Sequence, residues 1–340
     1  MPMTAAAHPS FERPTEGGAV LVAPGVHWLR MPLPFQLDHI NLWLLEDGPG
    51  WTLVDTGFNN DATRALWERM FDDVLEGRPI TRVIATHFHP DHIGLAGWLV
   101  QRFDAPFHAT LAEWLYGRML TLEPDELSRP QIERFYCRAG LPEEMITAVI
   151  NRPNGYRTAV APLPTALNRL RDGDVLGVGG HRWRVVVGRG HAPEQACLLD
   201  EARGILIAGD QILPKISPNV SVWPQEPDAD PLSDYLASLE DFKRLPEGLL
   251  VLPSHGYPFM GLRRRIDELA EHHRQRIEET YEACAEPATA YEVMQAMFTR
   301  KLDVHQTRFA VGEAVAHLNH LVRQGRLVRE RGEGADKYRR

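Results

Sequence analysis

The chain is 340 residues long, 44% hydrophobic and 24% charged, which leaves room for one large domain with an appendage or for two ordinary domains and excludes collagen, coiled coil and wholesale disorder. Its net charge of −9 disfavours nucleic acid and anionic membrane as partners, and no apolar run reaches the roughly 18 residues of a membrane helix. Cys137, Cys197 and Cys284 lie far apart without a CxxC pair, which excludes a disulfide framework and a thiolate zinc site and points to the cytoplasm.

Residues 1–18 are rich in Pro, Gly and small side chains and lack an apolar h-region, so they read as a disordered leader rather than a signal peptide. Short β-like runs follow at 19–23, 26–31, 40–46 and 51–54, punctuated by Pro, Gly and Asp. The last ends in Asp55-Thr56-Gly57, and a helical pattern over 61–75 places Leu66, Met70, Phe71 and Val74 on one face. Strand, acidic turn, helix, strand is an α/β signature. The apolar run 82–85 then feeds Thr86-His87-Phe88-His89-Pro90-Asp91-His92. A helix over 93–103 and a short strand over 106–108 come next. Residues 111–160 read as a helical insertion, with breakers at Pro124, Pro130, Pro142 and Pro153. Strands return at 183–187, 196–199 and 205–208, with Gly188-Arg189-Gly190-His191 before the second and Gly209-Asp210 after the third. A helix over 231–245 precedes the apolar run 249–252, which ends in Pro253-Ser254-His255-Gly256. A long charged helix over 262–284 leads to a boundary at Glu286-Pro287. The remainder reads as a helix over 291–298, a helix over 310–324 and a Gly-interrupted ribbon over 325–338.

The run from Thr86 to His92 packs three imidazoles and a carboxylate into one short segment. Imidazole nitrogen and carboxylate oxygen are the ligand set of Zn²⁺ and related ions, and a fold rarely concentrates such desolvation-averse groups without a cation. An apolar run feeding the cluster puts it at the carboxyl end of a strand, where open α/β sheets hold ligands. Pro90 argues for a turn there and against a helical HExxH arrangement. Asp55, His191, Asp210 and His255 are delivered by further strand ends to the same edge. The other histidines, His8, His27, His39, His108, His181, His272, His273, His305, His317 and His320, read as ordinary surface or core residues.

Together these residues resemble the metallo-β-lactamase superfamily, whose signature is an HxHxDH run followed by a later His, Asp and His. The resemblance runs from residue 19 to about residue 257. It implies an α/β fold, a four-layer αββα sandwich over 19–260, interrupted by the helical insertion. It assigns His87, His89 and His191 to a first metal, Asp91, His92 and His255 to a second, and Asp210 to a bridge between them. Asp55 is implied to support the site through hydrogen bonds without ligating metal. The implied cofactor is two divalent ions, Zn²⁺ first, with Fe or Mn²⁺ acceptable to the same donors. Two such ions roughly 3.5–4 Å apart lower the pKa of a bridging water to about 7 and hold hydroxide as the nucleophile. Asp91 is then the catalytic residue, orienting the hydroxide and shuttling its proton. Class B β-lactamases carry a second-metal Cys or lack the bridging Asp, so Asp210 points to the branch resembling glyoxalase II, lactonases and nucleases. The flavodiiron branch is disfavoured because no acid replaces a ligand of the first motif, whereas persulfide dioxygenases use a subset of these ligands. The leading expectation is a dinuclear hydrolase of a small ester or thioester.

After a linker helix over 261–284, residues 285–340 resemble the winged-helix domain of a subfamily that includes a lactamase-like endoribonuclease. The last twenty residues hold seven Lys/Arg against three acids, and Arg323, Arg326, Arg329 and Arg331 near the ribbon raise an endoribonuclease acting on single-stranded RNA as the alternative. A non-catalytic sensor using the winged helix on DNA is a third reading. No aromatic platform interleaves the arginines, which favours a packing or dimerising module and leaves nucleic acid the disfavoured partner. A lid at 111–160 favours a small-molecule substrate, with Lys215, Asn219 and Tyr257 as candidate contacts.

Overall fold

The computed structural model describes residues 11–35, 37–152 and 154–340. Most of the expected leader, and Pro153, lie outside the described residues. Four antiparallel strands open the fold: β1 (Ala19–Ala23), β2 (Val26–Pro32), β3 (His39–Asp47) and β4 (Gly50–Val54), each paired with the next. The helix α1 (Asp61–Asp73) starts where the Asn60 side chain accepts the Thr63 N–H, and it crosses to β5 (Ile80–Ile84), parallel to β4. A second crossover, α2 (Pro90–Ile93) and α3 (Ala96–Phe103), reaches β6 (Phe107–Thr110), parallel to β5. The insertion holds α4 (Leu111–Leu122), α5 (Asp125–Ala139), α6 (Glu143–Ile150) and α7 (Gly155–Ala159), after which β7 (Asn168–Leu170) completes a seven-stranded sheet in chain order. The second sheet comprises β8 (Val175–Val178), β9 (His181–Gly188), β10 (Gln195–Asp200), β11 (Ile205–Gly209) and, after α8 (Pro231–Lys243), β12 (Leu250–Pro253), ordered β12-β11-β10-β9-β8. The chain closes with α9 (Leu262–Ala283), α10 (Ala290–Met297), α11 (Val304–Arg323) and the antiparallel ribbon of β13 (Val328–Glu330) and β14 (Lys337–Arg339). Among the described residues no helix is long and apolar enough to cross a membrane.

The layers follow from strand alternation. Trp28, Trp43, Val54 and Ile84 of the first sheet meet Trp183, Val185, Leu198 and Ile207 of the second, and all eight are buried between the sheets. On the outer face of the first sheet, Leu66, Trp67 and Met70 of α1 and Leu99 of α3 pack on Leu42, Leu53 and Val83. On the outer face of the second, Leu239 and Phe242 of α8 and Ile266 and Leu269 of α9 pack on Cys197, Leu206 and Val251. The result is the αββα sandwich. That last cluster continues without a break into α5, α6, α10, α11 and Tyr338. The C-terminal helices therefore share the core of the second sheet, each large side chain buried there contributing about 1.5–3 kcal/mol.

Several local expectations need correction. Pro130 sits inside α5 rather than breaking it, while Pro124 and Pro142 occupy N-cap positions as helix punctuation should. Pro90 is the first residue of α2, where a missing N–H costs nothing, so the expected turn is a single helical turn. The strands β7 and β8 went unanticipated because Asn-Arg-Leu and Val-Leu-Gly-Val are too short to carry a period-2 pattern. The helix α11 starts ahead of its apolar stripe because Asp303 and Gln306 form a capping box.

Candidate metal centre

The pairs β4/β5 and β11/β12 are parallel, so their carboxyl ends emerge on one edge of the sandwich. Asp55 follows β4, Thr86 to His92 follow β5, Asp210 follows β11 and His255 follows β12, while the β9–β10 loop brings His191. The loop before His191 can pass against α8 only because Gly190 has φ +96 and no Cβ, which would lie 2.5 Å from the Pro231 carbonyl. Backbone bonds then stitch the edge together: Ala196 N–H donates to Thr86 O (2.8 Å), Ser254 N–H to Gly209 O (3.1 Å) and Asn41 N–H to Ser254 O (2.7 Å).

Three groups of side chains bring their ligand atoms within 4.8 Å of one another: His87, His89 and His191; His87, His92 and Asp210; Asp91, His92 and His255. His87 Nε2 lies 2.9 Å from His89 Nδ1 and 3.3 Å from His191 Nε2. Asp210 stands between the groups, with Oδ1 3.6 Å from His92 Nε2 and Oδ2 3.4 Å from His191 Nε2 and 3.5 Å from His255 Nε2. Asp91 Oδ2 is 3.6 Å from His92 Nε2 and 3.5 Å from His255 Nε2.

Hydrogen bonds on the far side of each ring decide which nitrogen keeps its lone pair. His191 Nδ1 lies 2.8 Å from Asn219 O and His255 Nδ1 2.8 Å from His39 O; a carbonyl only accepts, so both rings carry hydrogen on Nδ1 and aim a bare Nε2 inward. His92 Nδ1 lies 2.8 Å from Asp55 Oδ2, with the same result. Asp55 also accepts the Thr86 N–H (2.7 Å) and hydroxyl (2.8 Å), which frees the Thr86 oxygen to accept from His87 Nδ1 at 3.1 Å. One buried carboxylate thus orients histidines of all three groups.

The electrostatics suit a cation. Burial and the neighbouring charge of His92 push His87 well below the usual imidazole range, and burial and His191 do the same to His89, leaving both neutral as metal ligation requires. Burial opposes charge on His92 too, yet Asp91, Asp55 and Asp210 lift it well above that range. The carboxylates therefore favour positive charge at this point. His92 Nε2 and Asp210 Oδ1 are buried without a hydrogen-bond partner, a costly state that a bound metal ion relieves. The donor set is hard-to-borderline nitrogen and oxygen, fitting divalent ions of the zinc class.

The model of the metallo-beta-lactamase superfamily matches residues 36–255, and that of the metallo-beta-lactamase-like C-terminal domain matches 277–340. The chain belongs to the metallo-beta-lactamase superfamily. It is similar to the crystal structure of a beta-lactamase domain protein from Burkholderia ambifaria, 45% identical with a TM-score of 0.91 over 98% of both chains. A metallo-beta-lactamase family protein from Thermus thermophilus is 32% identical, with a TM-score of 0.80 over 94% of this chain and 100% of that one. The probable metallo-hydrolase YqjP of Bacillus subtilis (strain 168) is 26% identical over 299 residues, 86% of this chain and 91% of the relative.

Within the superfamily scaffold, other residues complete the edge. His39, expected to be ordinary, holds the His255 loop: its carbonyl accepts from His255, its Nε2 accepts the Gly256 N–H (2.9 Å), and its Nδ1 donates to Asp38. Asn219 uses its carbonyl on His191 and its amide on Glu313 of α11 (3.4 Å), tying the C-terminal helix to a candidate ligand. Lys215 is exposed, and Tyr257 packs edge-on against Trp28. None of these three candidate contacts lines the cavity of about 500 Å³ that opens beside His89. That cavity is walled instead by α4 to α7, as expected of the insertion, and by α11, which the sequence did not suggest.

Glu113 on α4 also escaped the sequence reading. Its fully buried carboxylate accepts the Phe88 N–H (2.9 Å), between the candidate ligands His87 and His89, and the Glu194 N–H (2.6 Å), beyond His191. Burial pushes its carboxyl up to about 7, although both backbone donors pull the other way. In Glu113→Gln the amide faces one of those N–H groups and leaves it without an acceptor. The expected loss is about 1–3 kcal/mol of stability, read from denaturant unfolding, together with weaker metal retention in dialysis.

Proposed function

We propose that the protein is a dinuclear zinc hydrolase acting on a small ester or thioester. The observation that carries this reading is Asp210, whose two oxygens face both groups of histidines from a buried position. Two ions bound there would lower the pKa of a water between them to about 7 and polarise the scissile carbonyl. The chain's own part is placement. Asp55, Asn219 and His39 fix the ligand tautomers, and Asp91, a partly exposed carboxylate at 18% side-chain exposure, accepts a proton from the attacking water and hands it to the leaving group. No serine or cysteine nucleophile is required.

The arginines that raised a ribonuclease are committed elsewhere, which supports a small-molecule substrate. Arg326 forks onto Glu278, Arg329 and Arg331 share Asp228, Arg323 bonds the Asp228 carbonyl, and Arg340 reaches Glu282. A phosphate would have to displace a carboxylate already in place. One panel tests the ordering: zinc-loaded protein against acyl thioesters, lactones and labelled single-stranded RNA, with an Asp91 variant as blank. Turnover of thioester or lactone is expected. Cleavage of RNA alone overturns the reading.

A further inference from the structure

The cavity beside His89 has two unlike parts. Its body is aromatic, built from Phe58, Phe88, Tyr116, Tyr156, Trp223 and Phe309. The rings brace one another: Phe88 lies 4.7 Å from Tyr116 between centroids, Trp223 stands edge-on to Phe309 at 5.2 Å, and the Tyr156 hydroxyl donates to the Phe88 carbonyl at 2.5 Å. A wall fixed in this way is a preformed surface for an apolar group, and its volume falls inside the range of small-molecule sites. Because Phe88, His89 and Pro90 belong both to the wall and to the ligand loop, the cavity is continuous with the metal centre.

The second part is cationic, in a chain whose net charge is −9. Arg129, Arg152 and Arg308 line the cavity. Arg308 lies against the Tyr136 hydroxyl with its Nε buried and unpartnered, and among the described residues neither Arg129 nor Arg152 has an acidic partner. The acids on the same wall are Glu123 and Asp125, and Asp125 is taken up by Arg157 at 3.3 Å. Arg138 is by contrast spent on Asp336. A cavity with uncommitted guanidinium groups beside aromatic rings is matched by a ligand both apolar and anionic.

We propose that this cavity is the acyl pocket and that the acyl group it takes is an extended apolar body, aromatic or of medium chain length, bearing a carboxylate or similar anion besides the scissile bond. The assignment rests on the hydrolase reading. Water adds across the acyl bond: its oxygen joins the acyl carbon as the C–S or C–O bond breaks. One proton leaves with the thiol or alcohol, and the other is lost as the product acid ionises.

The test uses the zinc-loaded full chain with three thioesters of N-acetylcysteamine, carrying acetyl, octanoyl and 7-carboxyheptanoyl groups. From acetyl to octanoyl, kcat/KM is expected to rise at least ~100-fold, given the value of each buried methylene. The terminal carboxylate is expected to add about tenfold, a charge-assisted hydrogen bond's worth. In Arg129→Ala and Arg152→Ala, both at exposed positions, the ratio of carboxylated to plain octanoyl turnover is expected to fall toward one. Calorimetry of octanedioate, octanoate and acetate binding to the same protein keeps the pocket separable from the chemistry, with affinity expected in that order. Equal binding of acetate and octanoate, or an acetyl thioester cleaved as fast as the octanoyl one, overturns the apolar pocket. Equal turnover of octanoyl and carboxylated octanoyl thioesters, or a preference that survives both arginine variants, overturns the anion site. Tight octanedioate binding with no ester or thioester turned over sinks the hydrolase reading and leaves the pocket standing.

Discussion

In Asp91→Asn, kcat for the best ester or thioester is expected to fall by about 10²–10⁴-fold, the usual worth of a general acid–base group. The side chain keeps its volume and one oxygen, so its ligand atom 3.5 Å from His255 Nε2 and 3.6 Å from His92 Nε2 is retained in kind. What disappears is the carboxylate's capacity to take a proton from the attacking water. His87, His89, His191 and Asp210 are untouched, so metal measured on the purified variant is expected to remain. The readout is kcat together with metal content by mass spectrometry. A metal-replete variant turning over at the native rate removes Asp91 from the chemistry. Asp91→Ala, which deletes the ligand oxygen as well, is expected to be inactive.

Candidate ligands of this kind announce themselves because their chemistry is confined to a few residue types and their positions to strand ends. His87, His89, Asp91 and His92 sit in one short run, and Asp210 and His255 each follow a strand made legible by its apolar residues. What stayed hidden depends on approaches between distant backbone segments. Glu113 acts because two N–H groups, 25 and 81 residues away, happen to converge on it, and no local pattern encodes that. His39 looked like any lone histidine, and only the fold sets its carbonyl against His255. The basic tail is the converse case, where a local pattern is visible and its partners are not. A charge count along the chain cannot see that Asp228 and Glu278, far upstream, neutralise Arg329, Arg331 and Arg326. Cavity walls are the extreme case: α11 contributes His305, Arg308 and Phe309 to a pocket on the metal edge only because α9 to α11 share the core of the second sheet.

Asp55 yields the other large effect, and asparagine is the informative replacement. Asp55 has φ +60, a left-handed conformation that asparagine tolerates about as well as aspartate and alanine does not. The backbone is therefore expected to survive Asp55→Asn with little loss of stability. The oxygen of the amide can still accept the Thr86 N–H, but its NH₂ then faces His92 Nδ1, which must accept instead of donate. The ring responds by moving its hydrogen to Nε2, the atom aimed at Asp91 and Asp210. A histidine in that tautomer cannot ligate. Loss of an orienting partner of this kind commonly costs 10–100-fold in metal affinity, and a reversed tautomer places the expected loss at or above the upper end. Competition with a chelator measures it, and thermal unfolding of the metal-free proteins checks that the fold is intact. Native metal affinity in a folded Asp55→Asn protein would mean that His92 is held by something other than Asp55.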